Sequence, residues 1–154
     1  MIYIASDHVG FELKSQILQS ESMKKYELND LGPYSFEYSD DYVDFAIKVC
    51  TRVQSERDAG IESYGILICG SGEGMMIAAN KFRGIYAALC DTSKNAVLSK
   101  QHNNSNVLVI GAELSAELSI HSLLIPWLDS TFSNLPRHIR RIEKIKNLEE
   151  KFYK

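Results

Sequence analysis

The chain has 154 residues, 45% of them hydrophobic and 24% charged, which is the composition of an ordinary soluble globular protein. Its net charge of −3 at pH 7 argues against a dedicated nucleic-acid-binding protein, because such proteins present a basic surface. No apolar run approaches the roughly 20 residues of a membrane span. The three cysteines lack the spacing of a disulfide scaffold or a zinc site. We therefore expect a cytoplasmic protein without a nucleic-acid or membrane partner.

Apolar segments of strand length alternate with segments of helical period along the chain. In chain order, the pattern predicts strand 2–6, helix 11–23, strand 26–31, helix 41–53, strand 64–69, helix 75–82, strand 85–90, helix 93–101, strand 107–110, helix 115–128 and helix 137–152. Such alternation is typical of βαβ units, which build a parallel sheet covered on both faces. The sequence therefore predicts one α/β domain over residues 1–154. We expect a three-layer α/β/α Rossmann-like fold with a five-stranded, mostly parallel sheet.

Folds of this kind bind ligands at the carboxyl ends of their strands, so residues that follow a strand are candidate site residues. They are Asp7 and His8, the stretch after Leu67, Asp91, and the loop before Asn106. A histidine at such an edge can transfer protons near neutral pH, which makes His8 and His102 candidates. Taken alone, either histidine is more often a solvated loop residue.

Three glycines follow the third strand in the segment Cys69-Gly70-Ser71-Gly72-Glu73-Gly74. Successive glycines let backbone N–H groups converge, and the helix that begins there adds partial positive charge at its N-terminus. The turn therefore predicts a site for a phosphate or a developing oxyanion. It does not match the dinucleotide fingerprint, because Met75 stands where GxGxxG needs its third glycine, and it lacks the Gly-Lys-Ser/Thr ending of a P-loop. A tight turn without a ligand is the alternative.

Cys69 ends the third strand directly beside this turn. A thiol near a helix N-terminus has a lowered pKa and can act as a thiolate, which makes Cys69 a candidate for chemistry. Most cysteines outside disulfides are buried small hydrophobic residues. That is the alternative for Cys69, and it is our interpretation of Cys50 and Cys90.

The last predicted helix carries a basic face and an apolar stripe. The basic face consists of Arg137, Arg140, Arg141 and Lys144. Arginines at a helix start suit a phosphate group, although such runs are more often a solvated surface. The apolar stripe consists of Ile139, Ile142, Ile145, Leu148 and Phe152. Because so small a domain leaves this stripe little core to cover, we expect the helix to pack on a partner subunit.

Together these residues resemble the B-type ribose-5-phosphate isomerase family, which also includes allose-6-phosphate and galactose-6-phosphate isomerases. The resemblance covers nearly the whole chain. Its motifs are Ser6-Asp7-His8-Val9-Gly10-Phe11, Asp41-Tyr42, the segment 65–74, Ile77-Ala78-Ala79-Asn80-Lys81, Gln101-His102-Asn103, Asn106-Val107-Leu108, and Arg137-His138 with Arg141. It implies interconversion of ribose 5-phosphate and ribulose 5-phosphate, in the non-oxidative pentose phosphate pathway, without metal or other cofactor. It also implies a homodimer or a dimer of dimers whose sites are built from two chains.

The resemblance implies roles for individual residues. Cys69 is the base that moves a proton between two carbons, and Ser71 helps to hold the enediolate. The backbone of the turn completes the enediolate site through Gly70, Gly72 and Gly74. His102, with Asp7 nearby, opens the sugar ring.

The resemblance assigns a second group of residues to substrate binding. His8, Arg137 and Arg141 hold the phosphate, and Asn103 orients sugar hydroxyls. A second branch of the family uses a glutamate base at the position of Met75, so this chain resembles the cysteine branch. Glu73 is a rival base, which we interpret as a first-turn helix charge.

One position departs from the family pattern. Many members carry an arginine at the position of Glu113, which reaches the phosphate in the neighbouring subunit's site. A carboxylate cannot bind phosphate directly, so either Arg140 compensates or substrate affinity has shifted. The alternatives are therefore a six-carbon sugar phosphate isomerase of the same family and a non-catalytic sugar-phosphate-binding subunit. A nucleotide-binding Rossmann protein is a weaker alternative, because the fingerprint is missing.

Overall fold

The structure is a computed structural model that describes residues 1–114 and 120–152. Its strands are β1 (Ile2–Ser6), β2 (Leu28–Asp30), β3 (Tyr64–Cys69), β4 (Ala87–Leu89) and β5 (Val107–Gly111). Its α-helices are α1 (Phe11–Gln19), α2 (Tyr42–Asp58), α3 (Glu73–Ala79), α4 (Ser93–Asn103), α5 (Ile120–Asp129) and α6 (Pro136–Phe152). A 3₁₀ helix follows α1 over Glu21–Tyr26. Residues 115–119 of the predicted helix 115–128 lie outside the described part of the chain.

The sheet has the strand order β2-β1-β3-β5-β4, and every neighbouring pair is parallel. The prediction of an α/β fold with five strands is confirmed, and the sheet is parallel throughout rather than mostly so. After β1 the chain continues to β2 on one side of the sheet, and after β3 it continues to β4 on the other side, so the switch point lies between β1 and β3. Ser6 of β1 is in register with Ile68 of β3. The segments that follow these two strands therefore meet at the carboxyl edge, where ligands bind in folds of this type.

The central strands are apolar on both faces, because helices cover both sides of the sheet. Alternate side chains point to opposite faces. Ile66 and Ile68 pack in one core with Trp127, whereas Leu67 and Cys69 pack in the other core with residues of α2 and α3. Each fully buried aliphatic side chain stabilises the fold by about 1.5–3 kcal/mol relative to exposure. Cys69 is thereby fixed on the α2–α3 side, at the end of a rigid strand.

Several predicted boundaries differ from the structure. Helix α1 ends at Gln19 instead of residue 23, because Ser20 adopts an extended backbone and the chain continues as a 3₁₀ helix. Helix α2 runs five residues beyond the predicted end, to Asp58. Its start is fixed by Asp41, whose side chain accepts a hydrogen bond from the Val43 N–H at 3.0 Å. Both helices occupy the predicted places in the chain.

Helix α6 packs against α4 of its own chain, with His138 and Ile142 buried. Four members of the predicted apolar stripe remain exposed, with fractional exposures between 38% and 68%. They are Ile139, Ile145, Leu148 and Phe152. Packing of this helix on a partner subunit stays a prediction. Within residues 1–114 and 120–152, no helix is both long and apolar enough to span a membrane.

Candidate active site

The turn after β3 is held in a shape that requires glycine. Gly72 has φ +81°, and a side chain there would collide with Leu89. At Gly111, an added Cβ would lie 2.6 Å from the Ser71 carbonyl oxygen, so the end of β5 crosses directly beside the turn. The Ser71 side chain is exposed, and its hydroxyl accepts a weak hydrogen bond from the Glu73 N–H at 3.4 Å. The turn is therefore rigid, with one accessible hydroxyl.

Cys69 is buried at the base of this turn. The backbone N–H groups of Met75 and Gly72 point at its sulfur and lower its pKa, as the sequence led us to expect. Burial has the larger effect and raises the pKa, and the charges of Asp7 and Glu113 raise it further. The expectation of a lowered pKa is therefore wrong for the single chain. Its cause, the depth of burial, could not be inferred from the position of a helix N-terminus.

Asp7 lies beside Cys69 at the switch point of the sheet. Its N–H donates to the Ile68 carbonyl oxygen at 3.1 Å, and its Oδ1 accepts from the Gly10 N–H at 2.9 Å. Burial raises the pKa of Asp7, although the bond from Gly10 opposes the shift. Asp7 is thus a partly desolvated carboxyl group near the thiol.

His8 follows Asp7 and is held by a residue that the sequence did not single out. Its Nδ1 lies 2.7 Å from Oδ1 of Asp40, and the same oxygen accepts the His8 backbone N–H at 3.0 Å. The imidazole also contacts the rings of Phe36 and Tyr38, at centroid distances of 6.3 and 5.3 Å. Asp40 is 32 residues from His8 in the chain, and no spacing rule links the two.

Glu113 lies against the glycine turn of its own chain. Its N–H donates to the Gly70 carbonyl oxygen at 3.1 Å, and its Oε2 would be 3.2 Å from a Cβ added to Gly70. The resemblance implies an arginine at this position that reaches a neighbouring subunit's phosphate. Glu113 instead adds negative charge beside Cys69. Tyr42 flanks the turn on another side, where its ring would lie 2.6 Å from a Cβ on Gly74.

His102 and Asn103 lie at the opposite edge of the sheet. They end α4, and three residues separate Asn103 from Val107, where β5 begins. Lys100, one half-turn earlier, places its Nζ 3.6 Å from the ring centroid of Tyr64, the first residue of β3. Cys69 is the last residue of that strand, about 17 Å away at roughly 3.3 Å per residue. The expectation that His102 lies near Asp7 at the carboxyl edge is wrong within one chain, because α4 runs back across the sheet.

His102 belongs to a cationic cluster that joins α4 to α6. Its ring stacks on His138 at a centroid distance of 4.4 Å. His138 is buried, and burial together with His102, Arg137 and Arg141 lowers its pKa. Arg137 Nε donates to His138 Nε2 at 3.2 Å, and His138 Nδ1 lies 2.6 Å from the Ser133 hydroxyl. A neutral His138 therefore holds Arg137 in place, a role that its motif did not indicate.

The structure thus brings the predicted site residues together in two groups. The group at the carboxyl edge contains Asp7, His8, Cys69, Gly70, Ser71, Gly72 and Gly74. The group at the amino edge contains His102, Asn103, Arg137 and Arg141. In the part of the chain that the structure describes, no three side chains of Asp, Glu, His or Cys converge as metal ligands.

A comparison with protein families gives a match over residues 2–145 to the family described as ribose/galactose isomerase. The chain belongs to the ribose/galactose isomerase family. A probable ribose-5-phosphate isomerase B of Mycoplasma genitalium is 40% identical over 149 residues, covering 97% of this chain and 95% of the relative. The Escherichia coli ribose-5-phosphate isomerase B is 37% identical, with 97% of each chain covered.

Solved structures of the ribose/galactose isomerase family share the fold. The crystal structure of the Mycoplasma genitalium enzyme, which contains bound ribulose 5-phosphate, superposes with a TM-score of 0.89 at 40% identity and covers 97% of this chain and 95% of that chain. The Thermotoga maritima enzyme gives a TM-score of 0.82 at 45% identity, covering 95% and 97%. The resemblance inferred from the motifs is therefore confirmed at the level of family and fold.

The carboxyl edge carries groups that are chemically suited to proton transfer next to a carbonyl. A thiol lies within reach of backbone N–H groups, which suit both a thiolate and a developing oxyanion. The cations suited to a phosphate lie at the other edge of the same chain. The two groups of predicted site residues therefore lie at opposite edges of the sheet in one chain.

Proposed function

We propose that this protein interconverts ribose 5-phosphate and ribulose 5-phosphate, with Cys69 as the base. The observation that carries the proposal is the placement of the Cys69 thiol at the glycine turn, under the N–H groups of Gly72 and Met75 and beside Asp7. The curated relatives named above and the relative with bound ribulose 5-phosphate support this substrate. The pathway assignment, the non-oxidative pentose phosphate branch, follows from this activity.

The proton transfer follows from the chemistry of an open-chain aldose. The Cys69 thiolate removes the proton from C2, and negative charge moves to the oxygen on C1. The turn N–H groups and the Ser71 hydroxyl stabilise this enediolate. The new thiol returns the proton to C1, and the C2 hydroxyl proton passes to the C1 oxygen, which leaves a ketone at C2. Because its raised pKa keeps the thiol protonated near neutral pH, substrate binding must favour its ionisation. Once ionised, a thiol with a raised pKa is a stronger base.

Ring opening and phosphate binding require the second group of residues. Since His102 of the same chain lies at the amino end of β3, and Cys69 lies at the other end of that strand, about 17 Å away, a second copy of the chain is the source of this histidine. The same copy supplies Arg137 and Arg141 to the phosphate, together with His8 from the first chain. Asn103 accompanies His102 and orients sugar hydroxyls. No step needs a metal or a nicotinamide, because proton transfers alone convert the aldose into the ketose.

A homodimer, or a dimer of dimers, is therefore part of the proposal. The exposed apolar stripe of α6 supports it, since Leu148 and Phe152 are 55% and 68% exposed in the single chain. Side chains of this size are usually covered when they lie in one contiguous patch. Helix α6 also carries Arg137 and Arg141, so packing this helix on a second copy can deliver both arginines to that copy's site.

The proposal is tested by assaying the purified protein on ribose 5-phosphate, allose 6-phosphate and galactose 6-phosphate, with EDTA and without cofactors. We expect the highest kcat/KM for ribose 5-phosphate and no effect of the chelator. A higher kcat/KM for a six-carbon substrate would contradict the proposed substrate and favour the six-carbon isomerase. Binding without turnover of any sugar phosphate would indicate a binding subunit.

A further inference from the structure

The contact between His8 and Asp40 involves both the backbone and the ring of His8. One carboxylate oxygen, Oδ1, receives both the backbone N–H and the ring Nδ1 of His8. The Asp40 side chain is only 8% exposed, whereas the His8 side chain is 26% exposed. The second oxygen of Asp40, Oδ2, is buried and has no hydrogen-bond partner among the described residues. The Asp40 carboxylate is thus directed at His8 and is largely shielded from solvent.

This geometry determines which protons His8 carries. A carboxylate can only accept, so Nδ1 bears the hydrogen of the 2.7 Å bond. In a neutral ring, Nε2 then has a lone pair and no hydrogen, and it cannot donate to a phosphate oxygen. Only the doubly protonated imidazolium can do so. A poorly solvated carboxylate in direct contact favours that imidazolium.

We propose that Asp40 is a positioning residue that keeps His8 doubly protonated, so that His8 binds the substrate phosphate through Nε2–H. The proposal rests on the assignment of His8 to the phosphate under the proposed function. Phosphate binding by His8 is then complete below the pH at which the ring loses its second proton, and it is lost as the pH rises through that point.

Other titratable groups also lie near the His8 ring, and Asp40 differs from them in its contact with that ring. Asp7 is the preceding residue and its own hydrogen bond goes to the Gly10 N–H. Glu12 lines the same cavity of about 520 Å³ as His8, together with Phe11 and Phe36. Tyr38 contacts the ring from the loop before α2. Among these groups, Asp40 alone forms a hydrogen bond with the imidazole. Under the proposed function, Arg137, Arg141 and His102 of a second copy of the chain also approach this phosphate.

The test compares Asp40→Asn with Asp44→Asn. Asparagine keeps the size and the acceptor oxygen but removes the charge. Asp44 is an exposed carboxylate in the first turn of α2, so its replacement controls for the loss of one negative charge nearby. NMR titration of the His8 ring without substrate gives the pH at which it gains its second proton. We expect a lower value in Asp40→Asn and the wild-type value in Asp44→Asn.

Kinetics supply the second readout. We expect Asp40→Asn to raise KM for ribose 5-phosphate about tenfold at pH 8, with kcat nearly unchanged and a smaller KM ratio to wild type at pH 6. Ratios of KM at each pH cancel the titration of the phosphate and every other pH-dependent step that the two enzymes share. An unchanged His8 titration, or equal KM ratios at both pH values, would overturn the proposal and leave Asp40 as a loop anchor.

A second variant covers the case in which Asp40→Asn does not fold. The His8→Gln amide can donate to phosphate at any pH, so its KM should lose the part of the pH dependence that His8 contributes. A wild-type pH dependence of KM in His8→Gln would also overturn the proposal. The NMR titration needs no substrate, so its outcome is separate from whether ribose 5-phosphate is the physiological sugar.

Discussion

The two edges of the sheet carry the two groups of predicted site residues. At the carboxyl edge, the backbone after β1 and β3 surrounds the buried thiol of Cys69, and the nearby charges of Asp7 and Glu113 are negative. At the amino edge, helix ends bring together His102, Arg137 and Arg141, which are accessible and cationic when protonated. The carboxyl edge carries the proposed base, Cys69, whereas the amino edge carries the two arginines proposed to bind the phosphate.

The two edges also differ in construction, and the difference fits their proposed roles. A base must be held to a fraction of an ångström, and Cys69 is fixed by a central strand and by a turn that only glycine permits. Phosphate binding tolerates longer side chains, and the arginines extend from the first turns of α6. Opposite charge on the two edges favours contact between the carboxyl edge of one copy and the amino edge of another.

The largest expected effect is at the base. Cys69→Ala should lower kcat about 10²–10⁴-fold while KM changes little, because a general base acts in the transition state and the phosphate contacts remain. Steady-state kinetics measure both parameters. Cys50→Ala is the matched control, because Cys50 is buried in α2, where burial raises the pKa of its thiol to about 12. Comparable turnover in Cys69→Ala and Cys50→Ala would contradict the assignment of the base.

The amino edge should respond in KM rather than in kcat. Arg137→Ala and Arg141→Ala each remove a charge-assisted hydrogen bond to phosphate, so we expect KM to rise about tenfold or more in each. The bond is present in ground and transition states alike, and kcat should therefore stay within a few-fold of wild type. Lys146→Ala, farther along α6, is the control for charge on this helix. If all three variants keep the wild-type KM, the arginines do not bind the phosphate.

The smallest expected effect is at Glu113. Its charge is one of the causes that raise the pKa of Cys69, so Glu113→Gln should lower that pKa. A thiolate base is active above its pKa, so the rising limb of the kcat/KM profile should move to lower pH. Because Glu113 is exposed and screened, we expect a gain of about twofold or less at neutral pH. A shift to higher pH would show that the carboxylate assists ionisation.

The parts of this architecture that the sequence predicted are those with strong local signals. The apolar runs of β1 and β3 and the glycine turn predicted that Cys69 ends a central strand at the carboxyl edge, and the structure places it there. The prediction that His102 lies at the carboxyl edge was wrong, because a residue just before a strand lies at the amino edge. The contact of Asp40 with His8 joins residues 32 apart through a loop, and no periodicity encodes it. The pKa of Cys69 depends on burial among residues that are distant in sequence and meet only in the fold.

The central claim, that each site combines one chain's Cys69 with another chain's His102, is tested most directly by mixed dimers purified through two affinity tags. In a dimer of Cys69→Ala with His102→Ala, one of the two sites is intact, so we expect about half the wild-type activity. In a dimer of wild type with the Cys69→Ala/His102→Ala double variant, each site has one defect, and we expect almost none. The reverse result, an inactive first dimer and a half-active second one, would place both residues in a single chain's site and contradict the claim.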